Sequence, residues 1–213
     1  MKENTLFIRF SLSVWMVILL SGCAEELVLC PDENHPHAID LGLPNGTKWA
    51  CCNLGAPSPE HSGGYYAWGE TSVKSSYDSG NFEGPTRVED IAGTEYDAAY
   101  VNMGRDWRIP SFEQVSELLN YCKDQEGRTY NGVKGFLFTG PSGNSIFFPF
   151  SGYMYGNEIH AEFQGYVWTS TRDNPYEDYV VTQSRVLKYN KKRAFTEISP
   201  MEWGHNIRPV IKK

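Results

Sequence analysis

The feature that most constrains this chain is Trp107-Arg108-Ile109-Pro110-Ser111 and the residues that follow it. Pro110 cannot sit inside a helix and drives Ile109 towards an extended conformation, so an extended segment must end there. Ser111 can then act as N-cap, with Gln114 three residues on to complete a capping box. Phe112, Val115, Leu118, Leu119 and Cys122 recur at three- and four-residue spacing, with Glu113, Gln114, Ser116, Glu117 and Asn120 between them. The pattern predicts one amphipathic helix of about three turns. The rest of the chain is aromatic and punctuated by glycine, so it must pack around this helix as sheet and loop.

The chain opens on an address. Lys2 and Arg9 precede an apolar run over residues 10–20, too short for the roughly 20 residues of a membrane span, so it reads as a secretory signal over residues 1–22. Its end, Leu20-Ser21-Gly22-Cys23, resembles the lipobox of bacterial lipoproteins, which implies lipidation at Cys23 and a membrane partner through that lipid. Ala24-Glu25-Glu26 resembles the surface-export signal of Bacteroides-group lipoproteins, which implies an outer-membrane protein facing the cell exterior. The signal carries a net +1 from Lys2, Arg9 and Glu3, so its removal takes the formal charge from −7 to −8. An acidic chain of this kind repels phosphate backbones, and nucleic acid is excluded as a partner. The cluster Lys188, Lys191, Lys192 and Arg193 reads as a solvated turn.

With Cys23 reserved for lipid, four cysteines remain in an oxidising compartment: Cys30, Cys51, Cys52 and Cys122. Adjacent Cys51 and Cys52 on a strand point to opposite faces, and Cys122 lies on the apolar stripe of the helix. The expected disulfide is Cys52 with Cys122, with Cys30 and Cys51 as a second pair; unpaired buried thiols are the alternative.

Residues 23–36 read as a tether and residues 37–213 as one domain. Residues 37–41 alternate like a strand, Pro44-Asn45-Gly46 is a turn, and residues 47–54 are the next strand. Residues 65–68 read as a strand, 71–95 as a long surface loop and 97–103 as a short helix. Residues 135–139 and 145–150 form a hairpin across a loop of about five residues. Residues 165–169, 179–189 and 194–198 are further strands, and 206–211 close the domain. The fold class is α+β, a β-rich core with one or two helices.

These segments resemble the Fibrobacter succinogenes major paralogous domain, a family of exported proteins in Bacteroides-type bacteria. The matching stretches are Ile39-Asp40-Leu41-Gly42-Leu43-Pro44-Asn45-Gly46-Thr47-Lys48-Trp49-Ala50, Cys52-Asn53-Leu54-Gly55-Ala56, and Tyr65-Tyr66-Ala67-Trp68-Gly69-Glu70-Thr71. They continue in Trp107-Arg108-Ile109-Pro110-Ser111, Gly140-Pro141-Ser142-Gly143-Asn144, Gly165-Tyr166-Val167-Trp168-Thr169 and Ile207-Arg208-Pro209-Val210. The resemblance implies a C-type-lectin-like fold: a twisted mixed or antiparallel β core with one or two helices and long loops. Two departures stand out. Cys51 replaces a small residue or threonine, and the lead-in to Arg208 is altered.

Arg-Ile-Pro-Ser also resembles a pattern of formylglycine-generating enzymes, but those need a reactive cysteine pair late in the chain, and none follows Cys122. Trp107, Arg108, Trp168 and Arg208 are therefore read as structural, the arginines tying strand ends to carboxylates or carbonyls. His35, His37, His61, His160 and His205 show no metal-ligand spacing, and no motif calls for a cofactor. Asp173, Asn174, Glu177 and Asp178 form an acidic loop without the calcium motifs of C-type lectins. No nucleophile, base and oxyanion donor assemble into a catalytic set. What remains is aromatic: Phe, Trp and Tyr are 14% of the chain. Tyr153, Tyr155, Tyr176 and Tyr189 stand beside turn-forming residues and are the candidates for a ligand face. The chain reads as a lipid-anchored, non-catalytic module binding a glycan or surface protein, with a structural subunit of a surface assembly as the alternative.

Overall fold

Ser111 does cap a helix. A computed structural model describes residues 29–122, 124–173 and 182–211, in which α2 (Phe112–Tyr121) begins at a complete capping box between Ser111 and Gln114. Val115 and Leu118 are buried, as the stripe requires. Glu117 is buried too, against the polar spacing, because its carboxylate accepts the Asn45 N–H at 2.8 Å. The shorter α1 (Ala98–Met103) starts at Asp97, whose buried carboxylate accepts the N–H groups of Gly93, Ala99, Tyr100 and Ile109. That one side chain ties the helix start to the strand end before Pro110.

The strands are β1 (Ala38–Asp40), β2 (Lys48–Ala50), β3 (Trp107–Arg108), β4 (Asp124–Tyr130), β5 (Val133–Thr139) and β6 (Ser145–Pro149). They continue as β7 (Tyr153–Tyr155), β8 (Glu158–His160), β9 (Gln164–Arg172), β10 (Gln183–Asn190), β11 (Ala194–Pro200) and β12 (Val210–Ile211). Among the described residues every strand pair within the sheets is antiparallel, and with two short helices there the class is α+β and β-rich. The four sheets run β1-β2-β12-β3, β11-β10-β9, β4-β5-β6 and β7-β8. The closing strand β12 is thus inserted between two strands made much earlier in the chain.

Burial follows from the strand period of two. On β9, Val167 enters one core with Trp49, Leu118, Phe136, Phe138 and Phe148; its neighbour Trp168 enters a second with Trp68, Ile91, Ile109 and Ile207. On β10, Leu187 and Tyr189 face the first core and Val186 the second. This sheet therefore lies between two cores, which is why adjacent residues such as Val167 and Trp168, or Val186 and Leu187, are all buried. Two tryptophans lock it to the chain before it: Trp168 Nε1 donates to the Tyr66 carbonyl at 2.7 Å, and Trp68 Nε1 to that of Thr169 at 2.9 Å.

Several expectations need correction. Residues 65–68 form no strand; a single bridge pairs Tyr66 with His205. Residues 71–95 are irregular, yet Tyr77 and Ile91 are fully buried, their backbone groups satisfied by Gly156 and Ser170. Strand β2 ends at Ala50, so Cys51 and Cys52 follow it in a bend and are both buried. No disulfide is formed among the described cysteines. Cys52 Sγ faces the Ala56 carbonyl, whereas Cys122 packs into the first core beside Leu118. The Cys52–Cys122 pair is accordingly not made. The tether boundary also moves: Leu29 is buried against Leu137 and Phe147, so the packed chain begins before His37.

Candidate functional site

The aromatic face is built on the β7–β8 hairpin, which turns at Gly156 with φ +59, a left-handed value suited to glycine. Tyr153 pairs with His160 and Tyr155 with Glu158, while Met154 exchanges both backbone hydrogen bonds with Gly204. That exchange brings Trp203 alongside the hairpin. The Tyr153 and Trp203 rings stack at 4.6 Å and 5° between planes, and His160 stacks on Tyr153 at 5.5 Å. Tyr155 stands outside this stack, 51% exposed, with its ring 5.7 Å from Trp203. The result is a ledge of aromatic rings already ordered by one another.

Beside it Ile159, 45% exposed, and Phe163, 71% exposed, border a groove of about 860 Å³. Its lining also includes Glu60, His61, Tyr65, Phe150 and Glu162. This combines apolar floor with separated polar groups in the size range of small-ligand sites.

The sequence candidates divide here. Tyr153 and Tyr155 belong to the ledge. Tyr189 does not: it is fully buried in the first core with its hydroxyl on the Pro149 carbonyl at 3.0 Å, so its assignment to a ligand face is corrected. Its neighbour Asn190 marks the β10–β11 turn, and the ring faces inward with Leu187. Tyr176 lies outside the described residues, as do Asn174, Glu177 and Asp178; Asp173 is ion-paired to Arg185 at 2.6 Å. Trp203, an aromatic residue at the far end of this region, and Phe163 are not among the four candidates, although Phe163 stands alone between Glu162 and Gln164, a large apolar residue with no apolar neighbour.

Trp168 is fully buried and Trp107 half-buried against the second core. Arg108 donates to the carbonyls of Arg105 and Trp107 and covers the Tyr100 ring at 4.6 Å. Arg208, fully buried, donates to Asn53 Oδ1 and to the carbonyls of Ala50, Cys51 and Phe147.

A second constellation lies at the other named cysteines. Cys30, His35, His37 and Cys51 bring four ligand-type atoms within 4.8 Å of one another, the one such group among the described residues. The sequence spacing of the histidines does not reveal this set, because the chain returns Cys51 to them only after β1 and β2.

Beneath the ledge, His205 is buried among Tyr153, Tyr166 and Trp168, with Nε2 2.7 Å from Ser199 Oγ. Burial depresses its pKa to about 3. Comparison with protein-family models, curated proteins and solved structures gives no match for this chain.

Because the folded pKa of His205 is depressed, the unfolded chain takes up the proton first. The stability it contributes is whole above about pH 6.5 and is lost as pH falls from there towards about 3, at up to roughly 1.4 kcal/mol per pH unit. Denaturant unfolding between pH 7 and 4 should show a shallower decline in His205→Gln than in the parent; equal slopes would remove His205 as a cause.

Proposed function

We propose that this chain is a lipid-anchored outer-membrane module, facing the cell exterior, that binds a glycan or a surface protein through the Tyr155 ledge and the groove beside it. The carrying observation is the parallel Tyr153–Trp203 stack with Tyr155 exposed next to it. Rings held by one another lose little entropy when a sugar face or an apolar side chain settles on them. Glu60, His61 and Glu162 in the groove supply hydrogen-bonding groups at its edge. Membership of the Fibrobacter succinogenes major paralogous domain family, with a C-type-lectin-like fold, is part of the same proposal and rests on the sequence stretches quoted above. The non-catalytic reading belongs to the same proposal and rests on the sequence, in which no nucleophile, base and oxyanion donor assemble; the Ser199–His205 pair is itself buried.

The alternative, a structural subunit of a surface assembly, draws on Ile159 and Phe163, whose exposed apolar area suits a partner chain. A glycan screen set beside a pull-down from the native envelope separates the two. In either case Tyr155→Ala should cost about 2 kcal/mol of binding, roughly 30-fold, with the melting temperature unchanged. Tyr189→Ala should instead destabilise the fold by roughly 3–5 kcal/mol. Full binding by Tyr155→Ala would place the ligand elsewhere.

Anchoring is tested separately. One acyl chain holds a protein only marginally, and two or more hold it firmly. Cys23→Ser should move the protein out of the membrane fraction or leave it unprocessed; unchanged fractionation with no incorporation of labelled fatty acid would contradict the anchor.

A further inference from the structure

We propose that Cys30, His35, His37 and Cys51 form a tetrahedral zinc site that fastens the segment following the lipid anchor to the body of the domain. Three of the four residues lie within residues 30–37, and the fourth is delivered from the bend after β2. The ligand types, two thiols and two imidazoles, are those of closed structural zinc sites.

The distances fit. Bonds of about 2.3 Å to sulfur and 2.0–2.1 Å to nitrogen give a tetrahedron with edges of roughly 3.3–3.8 Å. His35 Nδ1 lies 3.2 Å and His37 Nδ1 3.8 Å from Cys51 Sγ, and all four ligand atoms fall within 4.8 Å of one another. The contacts converge on one sulfur. The His37 backbone N–H donates to Cys51 Sγ at 3.1 Å, and two imidazole Nδ1 atoms aim at the same sulfur. Cys51 Sγ is thus the point on which a backbone N–H and two imidazoles converge, and a cation shared by the sulfurs and both rings would be held by all of them.

The surroundings are those of a metal site. His37 presents Nδ1 to the cluster and Nε2 to Asp32 Oδ1 at 3.0 Å, the carboxylate–histidine arrangement that fixes the tautomer of a metal ligand. The backbone N–H on Cys51 Sγ stabilises a thiolate. Cys30, His35 and His37 are partly buried and Cys51 is buried, so the cluster lies near the surface with one ligand firmly seated. With Leu29 packed on Leu137 and Phe147, the site would hold the domain at a fixed place only a few residues after Cys23.

A Cys30–Cys51 disulfide is the competing outcome in an oxidising compartment, and it would leave both imidazoles without a role. The full chain, purified in detergent with reductant and stripped of metal, is titrated with Zn²⁺ and, in parallel, with Co²⁺. One equivalent should bind, and cobalt should show the intense visible bands of a tetrahedral site with thiolate charge transfer. His37→Gln and Cys51→Ser should each weaken zinc binding by more than about 100-fold, and Asp32→Asn by on the order of 10-fold. Cys122→Ser should bind as the parent does. Because Asp32 is exposed, its variant reports on the site even if a ligand variant misfolds. Failure of the reduced protein to take up one zinc would overturn the proposal, as would equal affinity in His37→Gln. So would a zinc-free Cys30–Cys51 disulfide in protein taken from the native envelope.

Discussion

The guanidinium of Arg208 carries its charge inside the protein, at 0% exposure. Such a charge is costly unless every donor is met. Here Nε reaches Asn53 Oδ1, Nη1 the carbonyls of Ala50 and Cys51, and Nη2 that of Phe147, all between 2.8 and 3.1 Å, with the Phe148 ring 4.1 Å from the guanidinium carbon. The acceptors come from the end of β2, the bend after it and β6. Arg208 lies just before β12, so the planar fork of arginine joins the closing segment to parts of the chain more than sixty residues earlier. Ile207 and Val210, on either side, enter the second and first cores respectively. The end of the chain thus closes both.

The same joint reaches towards each candidate site. Holding the Cys51 carbonyl at 2.9 Å fixes the bend that presents its thiol to Cys30, His35 and His37. In the other direction, Asn206 accepts the Trp168 N–H, His205 pairs with Tyr66, and Gly204 pairs with Met154 of the hairpin. The ledge therefore stands on the second core, and its rings are ordered before any ligand arrives.

Much of this was legible where a local rule and the tertiary environment agree. The capping box at Ser111, the apolar stripe of α2, the β5–β6 hairpin and the β10–β11 pair all follow from short-range chemistry. Tyr189 was misread because its neighbours are turn residues, although its spacing from Leu187 puts it on the inward face. Residues 71–95 carry no period because their polar groups are met by isolated bridges and side-chain turns such as those of Asp78 and Asn81. The cysteine–histidine cluster was hidden because counting cysteines in pairs directs attention to disulfides. Its fourth ligand is found only once β1 and β2 have folded Cys51 back onto His37, whose carbonyl accepts the Cys51 N–H.

The dependence on Arg208 is tested most directly by denaturant unfolding of Arg208→Lys, which keeps the charge and removes the fork. A lysine has three donors in a different geometry, so it leaves buried acceptors unmet at roughly 1–3 kcal/mol each. The expected loss is about 3 kcal/mol or more, or a fall in melting temperature of roughly 10 °C for a domain of this size. A lysine variant that unfolds within about 1 kcal/mol of the parent would contradict the central place given to this side chain.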